Sequence, residues 1–257
     1  MKQYGIGLDI GSTCTKVIVA DTGGAILWRR LLPTGWSSVE TAGSVLELLE
    51  QDGYTLKNSA VVATGYGRVA VDYADRCITE ITCHAKGACR IFGQPDLNVI
   101  DIGGQDTKLI VIRNGAVEEF VMNDKCSAGT GRFLEVMANT LSVTPGELCE
   151  MASLGSGTRI SSLCTVFAES EVIGLIGRGT SRENIAYAVV DSIVQKVRSQ
   201  SGKIRLGTAA LCLTGGLCDF PFFRVSLSRA FGRDVLTDPD ARYAGALGAA
   251  LAAVSLQ

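Results

Sequence analysis

Leu8-Asp9-Ile10-Gly11-Ser12-Thr13-Cys14-Thr15-Lys16-Val17-Ile18-Val19 has a near-copy later in the chain, Ile100-Asp101-Ile102-Gly103-Gly104-Gln105-Asp106-Thr107-Lys108-Leu109-Ile110-Val111. In each copy an apolar run ends in a carboxylate, crosses glycine and small polar residues, and resumes as Thr-Lys plus a second apolar run. That is the pattern of a strand, a tight turn and a second strand. Packing alone does not require the same carboxylate, glycine and lysine to recur in register, so the repeat points to two equivalent half-sites. Glycines and hydroxyl residues at such a turn expose backbone N–H groups, which form a concavity for phosphate oxygens. Two such turns facing each other would clamp a polyphosphate between two lobes, with Asp9 and Asp101 holding Mg²⁺ through water.

Two better-known phosphate motifs are absent. Gly5-Ile6-Gly7 lacks the third glycine of the dinucleotide fingerprint, because position 10 is Ile, and no Gly-x₄-Gly-Lys-Ser/Thr occurs. With 24 basic and 26 acidic residues and no run of like charges, nothing suggests nucleic acid or an anionic membrane. The 257 residues allow one large or two small domains. A strand pattern begins within the first few residues and no uncharged apolar run reaches spanning length, so the expectation is a cytoplasmic protein without a signal peptide.

Nine cysteines are many for such a chain, and an odd number argues against a complete disulfide framework. There is no Cys-x-x-Cys and His84 is the only histidine, so a zinc-finger pattern is excluded. Cys77, Cys83 and Cys89 recur every six residues, but six helical positions rotate about 240°, so they share no face and read as buried small apolar residues.

Strands are expected near 4–10, 15–20, 25–31, 59–64, 97–102, 107–113, 117–122 and 209–214. Helices are expected near 38–51, 82–92, 130–141, 165–178, 182–202, 220–231 and 241–253. This is an α/β chain. The repeat sets the boundary: a first lobe over 1–95, with the final helix 241–257 packing back on it, and a second lobe over 96–240. A third glycine turn, Leu213-Thr214-Gly215-Gly216-Leu217, follows an apolar run and would let an adenine lie flat against backbone.

The order phosphate turn, phosphate turn, adenosine turn, then Ala244-Gly245-Ala246-Leu247-Gly248, resembles the actin-like, sugar-kinase and heat-shock-protein-70 ATPase superfamily over nearly the whole chain. Longer blocks are more specific. Thr64-Gly65-Tyr66-Gly67-Arg68, Ile78-Thr79-Glu80-Ile81-Thr82-Cys83-His84-Ala85, Asn123-Asp124-Lys125-Cys126-Ser127-Ala128-Gly129-Thr130-Gly131-Arg132-Phe133-Leu134-Glu135 and Cys164-Thr165-Val166-Phe167-Ala168-Glu169-Ser170-Glu171-Val172-Ile173 resemble the activators (component A) of 2-hydroxyacyl-CoA dehydratases. The resemblance implies a two-lobed actin-like ATPase fold, a ribonuclease-H-like unit duplicated. It further implies an oxygen-sensitive homodimer with one [4Fe–4S] cluster at the subunit interface, and an iron–sulfur acyl-CoA dehydratase as the enzyme it reduces. Ferredoxin or flavodoxin would then be the electron donor.

Cys126 precedes a glycine turn that opens a helix, and Cys164 precedes the helix beginning near Thr165. Helix N-termini favour thiolates, and a Cys₄ cluster needs four, so two such cysteines per chain would be completed by two-fold symmetry. On this reading ATP and ADP contact Gly11, Ser12, Thr13, Cys14, Thr15 and Lys16 of the first turn and Gly103, Gly104 and Gln105 of the second. Gly129 and Arg132 follow at the next helix, and Gly215 and Gly216 lie on the adenosine side. Asp9, Asp101 and Gln105 are the catalytic candidates, Gln105 orienting the attacking water. After Gly216 the chain reads Leu-Cys-Asp-Phe-Pro, where the family more often has a small residue, Lys and Asn. The alternatives are an ATPase subunit of a benzoyl-CoA-reductase-type system, a small-molecule kinase of the same superfamily, or a nucleotide-binding scaffold.

Overall fold

The computed structural model describes residues 2–161 and 164–256. It divides into two compact units, Met1–Leu97 with Ile112–Glu118 and Asp240–Gln257, and Asn98–Val111 with Glu119–Pro239.

The first unit is built on strands β1 (Tyr4–Ile10), β2 (Cys14–Asp21), β3 (Ile26–Pro33), β4 (Ser59–Thr64) and β5 (Arg76–Cys77), in the order β3-β2-β1-β4-β5. β1 pairs antiparallel with β2 and parallel with β4. The second sheet holds β6 (Leu97–Ile102), β7 (Thr107–Arg113), β8 (Ala116–Asn123), β9 (Ala210–Gly215) and β10 (Val235–Leu236). Its order, β10-β9-β6-β7-β8, is the first order read from the other edge. The duplication seen in a dozen residues therefore extends to five strands per sheet. β5 and β10 have only two residues each, too few for an alternating pattern to reveal them.

Helix α1 (Ser38–Gln51) starts on Ser37, whose side chain accepts from Glu40 N–H, and puts Val45 and Leu49 into the core formed by β1, β2 and β4. Helix α2 (Glu80–Phe92) and helix α8 (Ala244–Val254) cover the other face. Here glycines permit backbone contact: a Cβ on Gly7 of β1 would lie 2.0 Å from the Ala246 carbonyl oxygen, and one on Gly248 would lie 1.8 Å from the Cys83 carbonyl oxygen. Gly5-Ile6-Gly7 is thus a packing motif for α8. The α8 helix itself starts at Ala244, residues Ala241–Tyr243 forming a 3₁₀ turn.

In the second unit, helices α3 (Gly131–Thr140), α4 (Pro145–Leu154), α5 (Thr165–Gly177), α6 (Arg182–Ser201) and α7 (Pro221–Phe231) accompany the sheet. Sequence reading assigns no helix to α4, although Thr144-Pro145-Gly146-Glu147 announces one. Thr144 accepts from Glu147 N–H, Glu147 reaches back to Thr144 N–H, and Pro145 fills the first turn. The β7–β8 turn at Ile112–Glu118 falls with the first unit because Asn114 N–H donates to Asp96 Oδ1 (2.7 Å) and Gly115 N–H to the Pro95 carbonyl (2.8 Å). No described helix is long and apolar enough to cross a membrane.

Candidate functional site

The first turn is closed by Gly11 N–H donating to the Cys14 carbonyl at 3.1 Å, and a side chain at position 11 would strike that oxygen. Thr34 anchors the carbonyl side, its hydroxyl donating to Gly11 O (2.7 Å) and its N–H to Thr13 O (3.0 Å). Thr15 is buried with its hydroxyl against that of Thr34 at 2.9 Å, so its side chain supports the turn from inside. Ser12, Thr13 and Cys14 are half-buried at the apex.

Register places Asp9 opposite Lys16, with Lys16 Nζ 3.8 Å from Asp9 Oδ2. The Asp9 carboxylate is 2% exposed, and its Oδ1 has no hydrogen-bond partner among the described residues. Two glycines flank it. A Cβ on Gly65 would sit 2.5 Å from Oδ1, and one on Gly245 would sit 2.8 Å from Oδ2. An ionised carboxylate buried in this state needs a cation or water to offset its desolvation.

The second turn has the same closure, Gly103 N–H to the Asp106 carbonyl at 2.9 Å, with different electrostatics. Lys108 is 1% exposed, and its Nζ lies 2.8 Å from Asp106 Oδ2 and 3.3 Å from Asp101 Oδ2. The Thr214 hydroxyl donates to Asp101 Oδ1 at 2.8 Å. Both oxygens of Asp101 are engaged, whereas Asp9 keeps one bare. The half-sites are therefore not equivalent, contrary to the expectation from the repeat. Two differences cause this: Thr214 donates to Asp101 Oδ1, and copy two has Asp106 where copy one has Cys14, so the second lysine is clasped from both sides. Lys108, Asp106, Thr214, Gly65 and Gly245 were not singled out from the sequence. The aligned lysine is legible in the repeat, whereas Thr214 on β9 beside Asp101, and Gly65 and Gly245 beside Asp9, are brought there by tertiary structure. Gln105 is exposed at the second apex.

This turn is fastened to the segment that follows β8. Gly131 N–H donates to Gly103 O (2.9 Å), Arg132 N–H to Gly104 O (2.8 Å), and the Thr107 hydroxyl to Gly129 O (2.6 Å). The first N–H groups of α3, which have no partner inside their helix, are thus taken up by the turn's carbonyls. The Arg132 guanidinium pairs with Glu135 on the surface, and Gly129, at φ +90°, packs against the Lys196 stem.

Cys126 lies in this loop, four residues before Thr130, the N-cap of α3, and is not itself at a helix end. Asn123 Nδ2 holds the loop by donating to Cys126 O (3.0 Å) and Ala128 O (3.2 Å). Cys164 is the N-cap of α5 and is exposed. The Ser127 and Thr165 hydroxyls hydrogen-bond at 2.7 Å, so the immediate neighbours of the two cysteines touch. On α5 the side chains of Val166, Phe167, Ile173 and Ile176 are exposed, an apolar surface on the same helix. By contrast Cys83, Cys149, Cys212 and Cys218 are buried, and burial pushes the Cys83 thiol up to about 11 and that of Cys149 to about 12. Such thiols stay protonated and make poor metal ligands. Of the three cysteines expected to be buried only Cys83 is: Cys77 is exposed on the short edge strand β5 and Cys89 is half-buried.

At the third turn, Gly215 has φ +82°, and a Cβ there would lie 2.4 Å from the Ile102 carbonyl oxygen. Its glycine serves the contact between β9 and β6. At Gly216 an added Cβ would meet nothing within 4 Å.

The BadF/BadG/BcrA/BcrD ATPase family matches residues 6–253. The (R)-2-hydroxyglutaryl-CoA dehydratase activating ATPase of Acidaminococcus fermentans is 40% identical over 255 residues, covering 98% of this chain and 97% of the relative. The solved structure of component A of that organism's dehydratase superposes with a TM-score of 0.92 at 39% identity, covering 99% of both chains. The activator of 2-hydroxyisocaproyl-CoA dehydratase from Clostridium difficile, solved with bound ADPNP, gives 0.91 at 35% identity over 98% of this chain and 95% of that one. The fold is the two-sheet α/β ATPase fold of the actin-like superfamily, and the chain belongs to the BadF/BadG/BcrA/BcrD ATPase family.

Proposed function

We propose that the chain is an ATP-dependent activator, which hydrolyses ATP to deliver a low-potential electron to an iron–sulfur dehydratase acting on an acyl-CoA. One observation carries the reading: the second phosphate turn is hydrogen-bonded through Gly103, Gly104 and Thr107 to the loop of Cys126, and through Ser127 and Thr165 to the helix of Cys164. A kinase has no need to tie its phosphate turn to paired thiols outside the core.

The Gly11–Lys16 and Gly103–Gln105 turns receive the phosphates, Gln105 orients the attacking water, and Gly216 with Gly215 lies on the adenosine side. The functional lobes are 1–95 with 241–257, and 96–240. The Asp9 carboxylate fits hydrated Mg²⁺, because its buried Oδ1 has no hydrogen-bond partner among the described residues. Asp101, neutralised by Lys108 and Thr214, holds the second turn in shape.

Cys126 and Cys164 fit half of a Cys₄ shell, being the thiols whose neighbours meet outside the core. A second copy of the chain completes the shell, and the exposed apolar side chains of α5 support that association. A [4Fe–4S] cluster bound there supplies one-electron transfer at low potential. Ferredoxin or flavodoxin is the matching donor, and the cytoplasm the matching compartment. Exchange of nucleotide at the turn displaces the carbonyls of Gly103 and Gly104, and with them the start of α3 and the Cys126 loop.

Anaerobic purification followed by iron analysis and an ATPase assay tests the reading. Expected are Mg²⁺-dependent hydrolysis and about four irons per two chains. Hydrolysis by a protein that binds no iron under any reconstitution would overturn it in favour of a kinase or scaffold.

A further inference from the structure

We infer that His84, the chain's single histidine, positions the Asp9 carboxylate and the water shell of the divalent cation held there. The inference rests on the ATP-site reading above and assigns a residue which that reading does not use.

His84 lies one turn into α2, after the N-cap Thr79 and Glu80. It is 4% exposed, among Cys83, Ala85, Gly87 and Ala88, and its Nε2 is 3.7 Å from Glu80 Oε1. Glu80 thus lies beside the ring, one helical turn earlier. The decisive observation comes from α8. A Cβ built on Gly245 would lie 2.7 Å from His84 Nε2 and 2.8 Å from Asp9 Oδ2, so the imidazole and the carboxylate close on the same glycine and are near neighbours.

Glycine inside a helix costs about 0.5–1 kcal/mol relative to alanine. Helix α8 is otherwise almost wholly Ala and Leu, so its two glycines, one in the first turn and one inside, need a reason. Gly248 has one in backbone packing, since its added Cβ would meet the Cys83 carbonyl. Gly245 meets no backbone among its nearest neighbours; all three are atoms of His84 and Asp9. Position 245 is bare because the imidazole and the carboxylate pack there too closely to admit a methyl group. With Oδ1 lacking a hydrogen-bond partner among the described residues and Lys16 Nζ 3.8 Å from Oδ2, the carboxylate has an oxygen left for a cation-bound water. An imidazole in this place hydrogen-bonds the carboxylate or a cation-bound water and fixes the orientation of both.

Mn²⁺ serves as a paramagnetic stand-in for Mg²⁺. Free Mn²⁺ is titrated by electron paramagnetic resonance against the dimer saturated with ADPNP, alongside metal-free nucleotide binding and thermal denaturation. In His84→Asn and in Gly245→Ala, Mn²⁺ affinity should fall by about tenfold or more, the usual effect of losing an orienting neighbour of a metal ligand. Metal-free nucleotide affinity should stay at the wild-type value. Glu80→Gln, at a half-buried position, should show a smaller loss and decides the matter if His84→Asn fails to fold. Wild-type Mn²⁺ affinity in folded His84 and Glu80 variants overturns the inference while leaving the ATP site intact. A wild-type protein that takes up no Mn²⁺ with nucleotide overturns the ATP-site reading itself.

Discussion

The Thr107 hydroxyl donates to the Gly129 carbonyl at 2.6 Å, joining the strand that leaves the second phosphate turn to the loop that bears Cys126. Thr107 is 1% exposed, so no water replaces that donor if it is removed. Thr107→Val keeps the shape and strands a buried carbonyl, at a cost of about 1–3 kcal/mol. Urea denaturation should show this loss. With the tie cut, ATP hydrolysis should persist while nucleotide-dependent electron delivery weakens. Full coupling of the two in Thr107→Val would mean that the connection runs elsewhere.

Asp9 and Asp101 occupy matching positions in the repeat and should respond differently. Asp9→Asn removes a charge that has no full partner in the protein, so stability should hold or rise while Mg²⁺-dependent hydrolysis falls about a hundredfold. Asp101→Asn weakens a satisfied network around Lys108 and Thr214, so it should lower stability as well as turnover. Paired melting curves and steady-state rates check this. Equal stability changes in the two variants would restore the equivalence of the half-sites.

Lys108 is among the largest fully buried side chains of the described residues, and it lies against two carboxylates. Lys108→Met leaves Asp101 and Asp106 facing each other without a cation and should cost about 3–5 kcal/mol. Adding Asp106→Asn to that variant should restore part of the loss, because the repulsion is then removed. A double variant no more stable than Lys108→Met alone would show that Asp106, 24% exposed at its side chain, is screened by solvent.

Much of this was legible in the chain. The Asp9–Lys16 hairpin and its copy announced two like sheets, since hairpin patterning and turn glycines are local signals. The short strands Arg76–Cys77 and Val235–Leu236 were invisible because a parallel edge pair of two residues has no period. Helix Pro145–Leu154 was readable from its capping box but has weak apolar periodicity, with Leu148, Cys149 and Ala152 its only buried residues. The asymmetry of the half-sites was written in the change from Cys14 to Asp106, yet its meaning depends on Thr214 reaching Asp101 from a strand far along the chain. The close approach of His84 and Asp9 beside Gly245 is set by a helix at the far end of the sequence, which no local pattern encodes.

The cysteines give a prediction with two independent readings. Burial raises the Cys83 and Cys149 thiols to about 11 and about 12, above the ordinary value near 8.5 that they regain on unfolding. A group whose folded pKa is raised holds its proton longer when folded, so its stabilising contribution is complete below about pH 8.5. That contribution is lost as pH climbs toward 11 and 12, the unfolded thiols releasing protons first. The urea midpoint should therefore fall across this alkaline window, and Cys149→Ala should flatten the fall. Under native conditions near neutral pH, an alkylating reagent should label Cys77 and Cys164, the two exposed thiols, before any buried one. Iron loading separates these two. Reconstituted anaerobically, the dimer should protect Cys164 and leave Cys77 reactive, and Cys126→Ser or Cys164→Ser should abolish bound iron while Cys77→Ser and Cys212→Ser retain it. Full iron content in Cys126→Ser would reject the shared four-thiolate shell and require ligands from elsewhere in the chain.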